Sequence, residues 1–181
     1  MSRCIAMGLE NFLIERKGSI LPLWRDSLFD VYPPGSHGFL KNKKERFANP
    51  VGYTLSNELD RLFEEIAREG QTEQLRLSLE SILKIRAVQD LKPSEALQFI
   101  LDLKGIVRRE VNTKGSSQIS SEDLRGFELK IDKICLEAFD IYNRCKQKIY
   151  ELRVKEVKRQ VSRLMERANL ICEIPDVIED H

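Results

Sequence analysis

Histidine is nearly missing from this chain: His37 and His181 are the only two in 181 residues. His37 lies in a loop between glycines, and His181 is the last residue. Neither falls on an apolar helical face, where a haem or metal ligand would be placed. Acid–base chemistry through histidine therefore has little to work with. Cysteine is sparse too. Cys4, Cys135, Cys145 and Cys172 form no Cys-x-x-Cys pair and no Cys/His set at zinc spacing. The expectation is no bound metal, no cofactor, and free thiols in a cytoplasmic, reducing setting. Cys135 and Cys145 are read as buried thiols, not as redox sensors or disulfide partners. The chain has no apolar run near the roughly 18 residues that span a membrane, so no membrane insertion is expected. Its first residues lack the apolar core of a signal peptide. The sequence holds no GxGxxG, GxxxxGK[ST], GxSxG or HExxH. With no catalytic residue in view, the expectation is a protein that is not an enzyme.

Glycine (9) and proline (6) are few, whereas 33% of residues are charged and 41% hydrophobic. High charge with periodic apolar residues points to helices with long solvated faces. Net charge is +1, so no global field argues for nucleic acid. Locally, residues 144–167 hold nine Lys or Arg against three Glu, and the tail after Ala168 holds four acids and no base. The basic stretch interleaves its charges at helical spacing, as in Glu151 with Lys155, and carries no aromatic stacking platform. It reads as the solvated face of a dimeric helix in preference to a track for phosphates.

Apolar positions from Leu9 to Val31 recur at helical spacing, with Pro22 expected to kink the helix or start a second one. Tyr32-Pro33-Pro34-Gly35 stops it, and a basic loop follows over 33–48. Asn49-Pro50 has the N-cap and N1 chemistry of a helix running to Glu69, with Gly70 as its stop. Thr72 is the expected cap of a helix over about 73–90, and Pro93 opens another that fades near Asn112. Thr113-Lys114-Gly115-Ser116-Ser117 reads as a linker. Ser121 is the expected cap of the last helix. Its stripe runs through Leu124, Phe127, Ile131, Ile134, Ala138, Ile141, Cys145, Ile149 and Leu152, then Val157, Val161, Leu164, Ala168 and Ile171. Fifty helical residues span roughly 75 Å, more than a small domain is wide. Either the helix breaks, or its distal half projects and pairs with another chain. No stretch reads as a strand.

Polar residues interrupt one apolar stripe. Arg86 and Gln89 continue the line of Leu75, Leu79, Ile82 and Leu83. A charge on a core-facing stripe must be paired or sit at a pocket rim. Asn49, Arg86 and Gln89 are therefore the candidate pocket or partner surface. The plainer alternative, and the favoured one, is a helix-end pair of Arg86 with Asp90. Phe47–Gly52 is read as a helix start before a rigid binding elbow.

Several segments together resemble a known family. Trp24, Tyr32-Pro33, Phe39-Leu40, Arg46–Gly52, Ile85-Arg86-Ala87-Val88-Gln89-Asp90 and Pro93-Ser94-Glu95-Ala96 are similar to the N-terminal domain of RsbRD-type co-antagonists of RsbT, regulators of bacterial general stress signalling. The resemblance covers about Leu9 to Asn112. Lys92 departs from the pattern, in which Ser or Thr usually caps the Pro-Ser helix. The resemblance implies a globin-like, haem-free, dimeric sensory domain. Such domains normally feed a C-terminal STAS domain, and the expectation here is a stand-alone chain without one.

The expected architecture is thus all-α: a globin-like helical bundle with a long C-terminal helix. Residues 1–114 are expected to form the sensory domain. Residues 115–181 are expected to form a long helix that joins the bundle and makes the dimer interface. The expected function is a non-enzymatic regulatory protein-interaction module, a homodimer that contacts a regulatory protein partner. The alternative is a small-ligand-binding accessory protein of an anaerobic respiratory system.

Overall fold

The computed structural model describes residues 3–33, 35, 36, 38, 48–68, 73–114 and 119–168, and the side chains of all these except 3–7 and 114. The elements are α1 (Arg3–Glu15), α2 (Lys17–Phe29), α3 (Pro50–Ala67), α4 (Glu73–Val88), α5 (Pro93–Lys114) and α6 (Ser121–Arg167). Among the described residues there is no strand. The protein is an all-α bundle.

The first helical pattern breaks at Arg16, not at Pro22, which lies inside α2. Arg16 leaves helical geometry with φ −94° and ψ 7°. The apolar positions explain the break. Leu9, Phe12, Leu13 and Ile20 would share one face of a straight helix, but Trp24, Leu28 and Phe29 drift progressively around from it. A turn at Arg16 lets both sets enter one core.

Helix ends follow local chemistry. Asn49 Oδ1 accepts from Gly52 N at 2.8 Å, the cap that Asn-Pro implies. At α5 the place of a capping Ser or Thr is taken by Lys92. Glu95 reaches back instead, its Oε2 accepting from Lys92 N at 3.0 Å. This is half of a capping box made from the N3 side. For α6 the cap is Ser120, one residue before the expected Ser121: Ser120 Oγ accepts from Asp123 N at 3.1 Å, and Asp123 Oδ2 accepts from Ser120 N at 2.9 Å. With Ser120 as the cap, Asp123 falls at N3 and completes a capping box, whereas Ser121 would put Leu124 in that place. Gly70, Thr72 and most of the basic loop lie outside the described residues.

Trp24 is fully buried at the centre, its ring centroid 6.1 Å from those of Phe63 and Phe99. Its indole N–H donates to Phe99 O at 2.7 Å, so the ring is buried without an unpaired donor. Helices α3 and α4 pack together, α2 lies on α5, and α6 closes the bundle against α4 and α5. The first half of α6 supplies Phe127, Ile131, Ile134, Ala138, Ile141 and Tyr142 to the core. Beyond Tyr142 the helix continues unbroken to Arg167. Its 47 residues make a rod of roughly 70 Å, and the second half leaves the bundle.

Candidate functional site

Arg86 occupies the last turn of α4 and is only 1% exposed. Its Nη1 donates to Glu95 O at 2.8 Å and Ala96 O at 3.1 Å, and its Nη2 donates to Leu28 O. One guanidinium thus fastens the C-terminal end of α2 and the first turn of α5 to α4. The carbonyl of Leu28 belongs to a helix end whose intrahelical partners run out. The Arg86 Cζ also stands 4.9 Å from the Phe99 ring centroid, a cation over an aromatic face. No carboxylate among the described residues pairs with Arg86, and its Nε is buried without a hydrogen-bond partner there. Burial pulls its pKa down to about 10, with the phenols of Tyr32 and Tyr142 acting in the opposite sense. It remains a cation at neutral pH.

Asp90 does not pair with Arg86. It takes a left-handed backbone (φ 60°), which Asp tolerates better than most residues, just past the end of α4. That turn throws its carboxylate outward, onto Lys146 of α6. The Lys146 ammonium holds the Asp90 carboxyl below the usual range, and Asp90 in return raises the Lys146 pKa. The neighbouring Leu91 carbonyl accepts from the Tyr142 hydroxyl. Gln89, also in this turn, accepts from the Tyr32 hydroxyl at 2.5 Å. Burial raises the pKa of both phenols, so both are protonated donors.

The structure therefore brings Arg86 and Gln89 together with Tyr32, Tyr142 and Lys146, and places the stretch 85–91 between the core and α6. Asn49 is 2% exposed and commits its Oδ1 to the start of α3. Sequence reasoning missed Tyr32, Tyr142 and Lys146 as members of this corner. Tyr142 and Lys146 lie over fifty residues from their partners, and no local pattern carries such a pairing.

The second feature is a bare surface. The stripe read along the last helix proves to be two. Phe127 through Tyr142 face the core, with Cys145 and Ile149 packed at its edge. Val157, Val161 and Leu164 lie on the other side of α6, where Leu129 (54%), Leu136 (70%) and Phe139 are also exposed. The switch comes from the five-residue step between Leu152 and Val157, which moves the pattern to the far side of a helix with 3.6 residues per turn. Tyr150 and Val154 fill the gap on this outer face. The face runs from beside the core onto the projecting half. Cys135 and Cys145, both half-buried, are free thiols whose pKa values are pushed up, mainly by burial.

A family model described as the RsbT co-antagonist protein rsbRD N-terminal domain matches residues 19–157. The chain belongs to this family. In the RsbRD N-terminal domain described here, the matched region takes in both the corner around Arg86 and the first part of the α6 projection. A curated relative from Archaeoglobus fulgidus, described as an uncharacterized protein, is 30% identical over 89 residues. Those residues are 49% of this chain and 55% of the relative, so the chain spans about half the length of the curated relative it matches. No solved structure matches the chain. The family is one of stress-signalling co-antagonists, and among the described residues no helix is long and apolar enough to cross a membrane.

Proposed function

We propose that this chain is a non-enzymatic regulatory module of stress signalling, cytoplasmic, globin-like and haem-free, that acts as a homodimer and contacts a regulatory protein partner. One observation carries the reading: an exposed apolar face on α6, interrupted by Asn143 and Gln147, that its own core does not cover. A monomer leaves Leu136 at 70% and Leu164 at 63% exposure, which water penalises and a second helix relieves. Family membership supplies the regulatory context. The corner at 89–91 supplies a route by which a change in the core reaches α6.

Native mass spectrometry of the full chain tests this. The expected result is a dimer, and Leu136→Glu is expected to give a folded monomer because the side chain is 70% exposed. A chain that stays monomeric at tens of micromolar overturns the dimer. The small-ligand alternative draws on the unpartnered Nε of Arg86. A stoichiometric extra mass retained on the protein would favour it.

A further inference from the structure

Six of the exposed apolar positions on α6 repeat in mirror image, whereas Tyr150 and Val161 fall level with Asn143 and Asp132. About a point between Lys146 and Gln147, Leu129 mirrors Leu164, Leu136 mirrors Val157, and Phe139 mirrors Val154. All six are exposed. At 3.6 residues per turn these positions share one side of the helix, roughly opposite the face that Ile131, Ile134 and Ala138 bury. Two copies running in opposite directions therefore set apolar against apolar at each of these levels.

The apolar pattern also permits a parallel pair, and charge separates the two arrangements. Residues 121–143 hold six Asp or Glu against three Lys or Arg, and residues 144–167 hold nine Lys or Arg against three Glu. A parallel pair lays the basic half on the basic half. An antiparallel pair lays it on the acidic half, where the interaction is attractive. In the mirrored register, Asp140 of one copy lies on the same edge of the seam as Lys155 of the other, within a turn of its level. Asp140 and Lys155 are both exposed.

We propose that two copies of this chain pair antiparallel along α6, the projecting basic half of each lying on the exposed proximal half of the other. This rests on the homodimer reading above and adds its direction and register. The shared helix runs from Leu129 to Leu164, roughly 50 Å. The two cores then sit toward opposite ends of the pair. The Asp90–Lys146 ion pair falls beside the midpoint, so the corner around Arg86 abuts the place where the two copies cross.

The test is photo-crosslinking of the full chain with p-benzoylphenylalanine at position 157, an exposed site that touches no core residue, followed by mass mapping of the crosslinked dimer. The expected product joins position 157 to the segment around Leu136 and Phe139 of the second copy. Joining 157 to residues 154–164 of the second copy means a parallel pair; it overturns the proposal and leaves the homodimer standing. A dimer by native mass spectrometry with no crosslink through 157 also overturns it, because the copies then meet elsewhere. A monomer removes this proposal and the dimer reading together.

Discussion

The Tyr142 hydroxyl donates to the carbonyl oxygen of Leu91, tying the last buried turn of α6 to the bend between α4 and α5. Lys146, one turn on, takes the carboxylate of Asp90 in the same bend. The helix thus leaves the bundle at a place held by two polar ties. Tyr142→Phe keeps the ring's packing and deletes one of them, leaving a carbonyl without its partner. The expected loss is about 1 kcal/mol, read as a shift of the urea midpoint at unchanged slope.

Arg86 has the larger consequence. Arg86→Met fills much of the same space but strands three carbonyls, those of Leu28, Glu95 and Ala96. The expected destabilisation is about 3 kcal/mol. Arg86→Lys retains the charge, but it lacks the planar fork that reaches two helices at once and is expected to recover less than half. Equal stability of the methionine variant in chemical denaturation would show that the hub does not bind the helices together.

Alkaline pH offers a separate check. The folded-state pKa values of Tyr32 and Tyr142 are raised above 10.0, and those of Cys135 and Cys145 above 9.0. Over that window the unfolded chain releases protons that the folded chain keeps. The folded state therefore binds more protons, and stability falls as pH rises. The contribution is fully present at pH 7 and declines from about pH 9 upward. Urea midpoints at pH 7, 8.5 and 9.5 are expected to fall in that order; from about pH 10 Arg86, whose pKa is lowered to about 10, acts in the opposite sense. Thiol alkylation of folded protein is expected to stay slow at pH 8, since the thiolate is the reactive form.

Charge reversal probes the α6 pair from a second direction. Glu137→Lys with Asp140→Lys is expected to weaken the dimer about tenfold, or about 1.4 kcal/mol. Adding Lys155→Glu and Lys158→Glu to the same chain is expected to restore it. Sedimentation at low and high salt reads both. A quadruple variant no tighter than the double one would mean that these charges do not face each other.

The cap at Asn49 is a control on the core alone. Asn49→Ala removes the acceptor for Gly52 N, at an expected cost of about 1 kcal/mol. The dimer is expected to persist, because the cap lies on α3.

The sequence by itself determined the helical class, since apolar spacing of three and four and a shortage of glycine and proline leave little else. It also marked Asn49 as a cap, from the local chemistry of Asn-Pro. It set Arg86 apart as a charge on a core-facing stripe, but not its partners. The nearest acid in sequence was Asp90, and a positive φ there sends that carboxylate to Lys146 instead. The satisfying groups are backbone carbonyls on α2 and α5, which leave no trace in residue type. The two faces of α6 were likewise merged into one stripe. Periodicity says that a residue is apolar and at what phase. Only the position of the bundle against α6 decides which phase is buried and which remains bare.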